Sequence, residues 1–200
     1  MNEKEDLICR LLRSTEREGM ERVIEQLHEV GFFEAPASAG HHLNSAGGLA
    51  IHSYNVCQTA MRLREVMIAL KPEVEPRLQR NSIIIAALLH DVCKSDIYRL
   101  NDKKFRKDAK GFWENYTGYD IVYDKLPVGH GEKSVIMLLR WGLELSEDEI
   151  LAIRWHMHAW DLPFQSYELK SSLSVATENC PLLSIIKAAD DLSAHILETA

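Results

Sequence analysis

The segment "IIIAALLHDVCK", residues 83–94, carries seven apolar residues straight into His90, Asp91 and Lys94. An imidazole and a carboxylate at the end of a core segment are costly to bury without a partner. A divalent cation is one partner, since it takes a neutral imidazole and an ionised carboxylate directly. Lys94 follows Asp91 by three positions and His90 by four, so on a helix it shares their side and suits an anionic ligand. The competing reading has His90 capping a carbonyl and Asp91 pairing with Lys94. These residues alone leave both open.

Other residues of the same chemical type lie far away in the chain. His52 stands in "GGLAIHS", just after Gly47 and Gly48, and Asp190 and Asp191 stand in "IIKAADDLSA". Two carboxylates in an apolar stretch call for a cation or a hydrogen-bond donor. Together, His52, the His90-Asp91 pair and Asp190 or Asp191 make a mononuclear metal site with positions open to water. His130, in "LPVGHGEKSV", is expected at a helix N-terminus, where free N–H groups favour an anion. His156 and His158 are two apart on an expected helix, so only one of them faces any given point. His156 fits the apolar register less well and is the candidate. His41 and His42 are weaker candidates for facing a substrate.

Those side chains must be brought together by helices. Leu7, Ile8, Leu11 and Leu12, then Met20, Val23, Ile24 and Leu27, recur at helical spacing up to a stop at Gly31. Residues 32–48 read as loop. A helix is expected from Leu49 to Leu70, ahead of Pro72 and Pro76, and another over 77–95 through the opening segment. Residues 96–128 break the pattern and read as an irregular insert or small hairpin, with "DIVYD" as a β-like run. Helices resume at His130, end by Gly142, and restart at a Ser146/Glu149 capping box, with Ile150, Ile153, Met157 and Trp160 in register. Further helices follow Pro163 and Pro181, the last one running to Leu197. The expected class is all-α, a single domain over 1–200.

Composition narrows the function. The apolar fraction of 46% and charged fraction of 26% are ordinary for a globular protein. No apolar run approaches the roughly 20 residues that span a bilayer, so no membrane partner is expected. The charged start "MNEKEDLICR" points to a cytoplasmic address. Four scattered cysteines form no CxxC pair and read as reduced and mostly buried. A net charge of −7 argues against broad nonspecific nucleic-acid binding. Residues 99–110, however, hold six basic residues, Arg106 among them, against two acidic ones. That run is either a solvated face or a means of attracting an anionic substrate.

The ordered set His52, His90-Asp91, Asp190 resembles the HD-domain metal-dependent phosphohydrolases. "LLHDVCK" is similar to the family's HD motif, with Cys93 where a glycine commonly precedes the lysine. "HHLNSAGGLAIHS" is similar to the first-histidine motif of the branch that includes 3′–5′ exoribonucleases, and "AADDLSA" resembles the closing motif, favouring Asp190 over Asp191. The resemblance spans residues 40–198, leaving the N-terminal helices (1–31) and the insert (96–128) outside the core pattern.

The resemblance implies an HD-type helical bundle and a divalent ion (Mn, Mg, Fe, Ni or Zn) on His52, His90, Asp91 and Asp190. Some relatives hold two ions with further histidines, and His130 and His156 occupy comparable places. The implied activity is phosphohydrolase or phosphodiesterase action on a small phosphorylated substrate, a nucleotide or short nucleic acid, attacked by metal-activated water. Asp91, Lys94 and His130 are then the catalytic candidates, and Lys94, His42 and Arg106 the substrate contacts. The rivals are a di-iron oxygenase on the same ligand set and a noncatalytic nucleotide-binding module. The Gly-Tyr-Pro signature of one cyclic-dinucleotide branch is absent.

Overall fold

A computed structural model describes residues 3–123, 125–158 and 166–199. The described residues form a helical domain with one two-stranded antiparallel sheet. In chain order the helices are α1 (Glu3–Arg13), α2 (Met20–Glu29), α3 (Gly48–Leu70), α4 (Arg80–Leu89), α5 (His130–Arg140), α6 (Glu147–Trp155), α7 (Tyr167–Asn179) and α8 (Pro181–Leu192). The strands β1 (Tyr98–Lys107) and β2 (Trp113–Ile121) lie between α4 and α5. No helix among the described residues is long and apolar enough to cross a membrane. All four cysteines are buried and unpaired.

Helix α4 is the axis of the core. Ile83 to Leu89 are fully buried, and α1, α3, α6 and α8 pack around them. A helix that is apolar on every face has no solvent side, which is why "IIIAALL" carries no amphipathic rhythm. Each fully buried Ile or Leu contributes about 1.5–3 kcal/mol over exposure.

The expected helix over 77–95 is shorter and broken. A 3-10 turn, Pro72–Arg77, precedes α4, and α4 itself ends at Leu89. Asp91 leaves the helical region with φ −105° and ψ 16°, and a second 3-10 turn covers Val92–Asp96. The apolar run continues through Val92 and Cys93, both buried, so hydrophobicity hides this change of direction. Its effect is to swing Asp91 and Lys94 off the helix surface toward the neighbouring helices.

The insert is a hairpin with a register shift between Asn101 and Lys104. An extra residue there flips the inside/outside phase midway along β1, erasing the alternation by which a strand is read. "DIVYD" supplies only its first two residues to β2. Lys133, buried on α5, gathers both ends of the insert: its ammonium donates to Asp96 at 2.5 Å and to the Lys125 carbonyl at 2.9 Å. Trp160 and Pro163 lie outside the described residues.

Candidate metal centre

Four imidazoles and two carboxylates converge from five parts of the chain. His52 comes from the first turns of α3, and His90 and Asp91 from the end of α4. His130 opens α5, His156 caps α6, and Asp190 lies near the end of α8. Neighbouring rings stand 4.8–5.4 Å apart along the chain His52, His90, His156, His130.

Asp91 is the centre, with a side chain only 2% exposed. Its two oxygens face different partners. Oδ2 lies 3.3 Å from His90 Nε2, 3.6 Å from His52 Nε2 and 2.6 Å from Lys94 Nζ. Oδ1 meets His130 Nε2 and lies 3.4 Å from His156 Nε2. Asp190 Oδ1 closes the first set, 3.1 Å from His52 Nε2 and 3.9 Å from His90 Nε2.

The Nε2 atoms of His52, His90 and His156 are buried and have no hydrogen-bond partner. Three orphaned ring nitrogens aimed at carboxylate oxygens are an unfavourable arrangement by themselves. They suit a cation, because ligand atoms about 2.0–2.2 Å from a shared ion stand roughly 3–3.5 Å from one another. Two candidate groups share Asp91: His52, His90 and Asp91, with Asp190 beside His52 and His90, and Asp91, His130 and His156. His90, His156 and Asp190 form a third group, and His42, His52 and Glu198 a fourth.

The outer ring nitrogens are anchored. His90 Nδ1 donates to the Ala87 carbonyl at 2.8 Å and His156 Nδ1 to the Ile153 carbonyl at 2.7 Å, leaving each Nε2 as the free ligand atom. His130 Nδ1 contacts Cys93 Sγ at 3.5 Å, so the cysteine standing in the family's glycine position packs on a candidate ligand. The carbonyl cap on His90 and the Asp91–Lys94 pair, weighed above as the alternative to a metal, are both present. They occupy the outer nitrogen and one lone pair and leave the ligand atoms free.

Electrostatics show what balances the site without a cation. Burial alone would raise the Asp91 pKa, but Lys94, His90 and His130 hold it well below the usual carboxylate range. Burial would likewise depress His52 and His130. The Asp190 carboxylate beside Nε2 and the Glu198 carboxylate bonded to Nδ1 lift His52 to about 9, and the Asp91 charge lifts His130 to about 10. His156 is lowered, chiefly by burial. Protonated imidazoles and the Lys94 ammonium therefore stand where metal charge would be, and metal uptake must release protons.

The remaining candidates separate. Asp191 is exposed and pairs with Lys187 at 3.3 Å. His158, with φ 52°, places its Nε2 3.4 Å from the Thr177 hydroxyl, and both it and Asp191 line the cavity next to the cluster without joining a ligand group. His42, Lys94, His156 and Asp190 line a cavity of about 440 Å³ together with Lys187 and His195. His41 is exposed. Arg106 sits on the hairpin, paired with Glu114 at 2.7 Å and stacked on Tyr116, and is not among the residues lining that cavity. Glu198, behind His52, was absent from the sequence-based candidates.

Two close approaches position these residues. A Cβ on Gly48 would stand 2.0 Å from the Leu43 carbonyl oxygen, so only glycine lets the loop fold onto the start of α3 beside His52. A Cβ on Gly131 would stand 2.3 Å from the Arg154 carbonyl and 2.6 Å from that of Ile153. The start of α5 thus rests on the end of α6, which is how His130 and His156 meet. The Ile153 carbonyl is also the anchor of His156. Gly131→Ala should cost about 1–3 kcal/mol of stability by overpacking. It should also reduce metal-dependent turnover, measured alongside a thermal melt.

The HD domain family model matches residues 49–195, more than half of the chain. No curated protein matched in the comparison, and no solved structure did. HD domains are in general metal-dependent hydrolases that act on phosphorylated substrates. By that match, with the converging histidines and aspartates described above, the chain belongs to the HD-domain family.

Proposed function

We propose that this protein is a metal-dependent phosphohydrolase that cleaves a phosphoester of a nucleotide or short nucleic acid. The observation that carries the reading is the set of buried, partnerless Nε2 atoms facing Asp91 and Asp190 beside the partly buried Lys94. His52, His90, Asp91 and Asp190 would hold one divalent ion, and His130 and His156 would share Asp91 to hold a second. Such an ion supplies Lewis acidity toward a phosphoryl oxygen and makes bound water acidic.

The protein's own contribution is charge and position. Lys94, 13% exposed, keeps its ammonium 2.6 Å from Asp91 at the cavity wall. Burial disfavours that charge, but Asp91 more than compensates and raises the Lys94 pKa, so it stays cationic toward a phosphate. His42 lines the same cavity, with its buried Nε2 turned toward Glu198 at 3.8 Å. A volume of about 440 Å³ suits a substrate of mononucleotide size or the end of a chain.

The test is a phosphoester panel of nucleotides and short oligonucleotides with Mn²⁺, Mg²⁺, Ni²⁺ or Fe²⁺ and with chelator. Phosphate or nucleotide release only with metal is expected. Absence of turnover together with absence of bound metal would overturn the proposal. Oxygen consumption by iron-loaded protein would favour the oxygenase relatives.

A further inference from the structure

Glu198 comes from beyond α8, yet its carboxylate is 2% exposed and lies against the back of the His52 ring. Oε2 stands 3.0 Å and Oε1 3.2 Å from His52 Nδ1. Oε1 also accepts from Asn55 Nδ2 at 3.0 Å, one helical turn after His52 on α3. His42 Nε2 lies 3.8 Å from Oε2.

The backbone explains how a residue so late in the chain arrives there. After Leu192 the helix widens into a π-turn, Ser193–Leu197, closed by Glu198 N–H donating to the Ser193 carbonyl at 3.0 Å. In a plain α-helix, residues eight apart sit about 80° apart around the axis. The wider turn takes up much of that difference. Asp190 and Glu198 therefore both address His52, the first at Nε2 and the second at Nδ1.

We infer that Glu198 is a positioning residue that fixes the orientation and tautomer of His52 for cation binding, an inference that rests on the metal-centre reading above. A buried carboxylate against Nδ1 requires an N–H there, which leaves the Nε2 lone pair facing Asp91 and Asp190. His90 and His156 take the same orientation from backbone carbonyls, which no side-chain substitution removes. His52 alone among the three depends on a replaceable carboxylate.

The experiment is calorimetric titration of Mn²⁺ into the full chain and into Glu198→Ala and Glu198→Gln, each checked by thermal melt. Glu198→Ala should weaken Mn²⁺ binding by about 10–100-fold. Glu198→Gln, whose amide oxygen still accepts from Nδ1, should recover much of that loss and carries the test if the alanine variant fails to fold. Long-range ¹H–¹⁵N spectra of Zn²⁺-loaded wild type should show the His52 proton on Nδ1. Wild-type Mn²⁺ affinity in both variants would overturn the role of Glu198 and leave the metal centre standing. Wild-type protein that binds no Mn²⁺ would overturn both.

Discussion

Asp91→Ala should lose about three orders of magnitude or more in metal-dependent turnover, equivalent to about 4 kcal/mol of transition-state stabilisation. Among the described residues, no other side chain reaches all four histidines of the cluster. Its Oδ2 serves His52, His90 and Lys94, and its Oδ1 serves His130 and His156. Removing it strips an anionic ligand from both candidate groups and leaves the Lys94 ammonium buried without its partner. Uncompensated buried charge costs roughly 3–5 kcal/mol, so the variant should also melt earlier. Asp91→Asn separates the two effects, since it keeps the volume but replaces one oxygen with a donor. Turnover and Mn²⁺ stoichiometry measured on both variants decide the matter; full activity in Asp91→Ala would remove the basis for the assignment.

The second large effect lies away from the chemistry. Glu149 is fully buried and accepts two bonds from Arg17, at 2.7 and 2.8 Å, and one from the Ser146 N–H at 2.9 Å. It ties the α1–α2 connection to α6 and completes the cap of α6. Glu149→Ala should destabilise by about 2–4 kcal/mol, below the full buried-pair cost because Arg17 retains some solvent contact. In a domain of this size that corresponds to a melting shift of roughly 5–12 °C.

The pH dependence of that effect has a definite sign. Burial alone would raise the Glu149 pKa, but the Arg17 and Ser146 hydrogen bonds bring it below its ordinary value of 4.5. A depressed carboxylate contributes stability above its unfolded pKa and loses it as pH falls through the folded one. The gap between wild type and Glu149→Gln should therefore be full near pH 7 and shrink below about pH 4.5. A gap that widened on acidification would show that Glu149 is not the ionised partner assumed here.

The parts of the site that could be read in advance were those whose residue types are costly where they stood. His90 and Asp91 interrupt an apolar run, and Asp190 sits among alanines, so each signalled a need for a partner before any geometry was known. Glu198 gave no such signal. It stands in the mixed stretch "HILET", contacts the outer nitrogen of His52 and not an ion-facing atom, and reaches it by a π-turn that leaves no mark in hydrophobic periodicity. The end of α4 was equally hidden, because the φ/ψ change at Asp91 occurs inside an unbroken apolar stretch. The hairpin was legible as an interruption but not as two strands. Its first strand is "YRLNDKKFRK", charged on both faces and shifted in register halfway.

The Lys133 ammonium carries one further consequence. With a single side chain drawing Asp96 and Lys125 together, the 28 intervening residues leave and re-enter the bundle at nearly one place. Loop-closure entropy changes only slowly with length, by about 0.6 kcal/mol per doubling. Such a segment is a natural site for transplantation. Exchanging it for a short glycine-serine bridge should leave the helical body standing, and grafting a foreign appendage there should be tolerated.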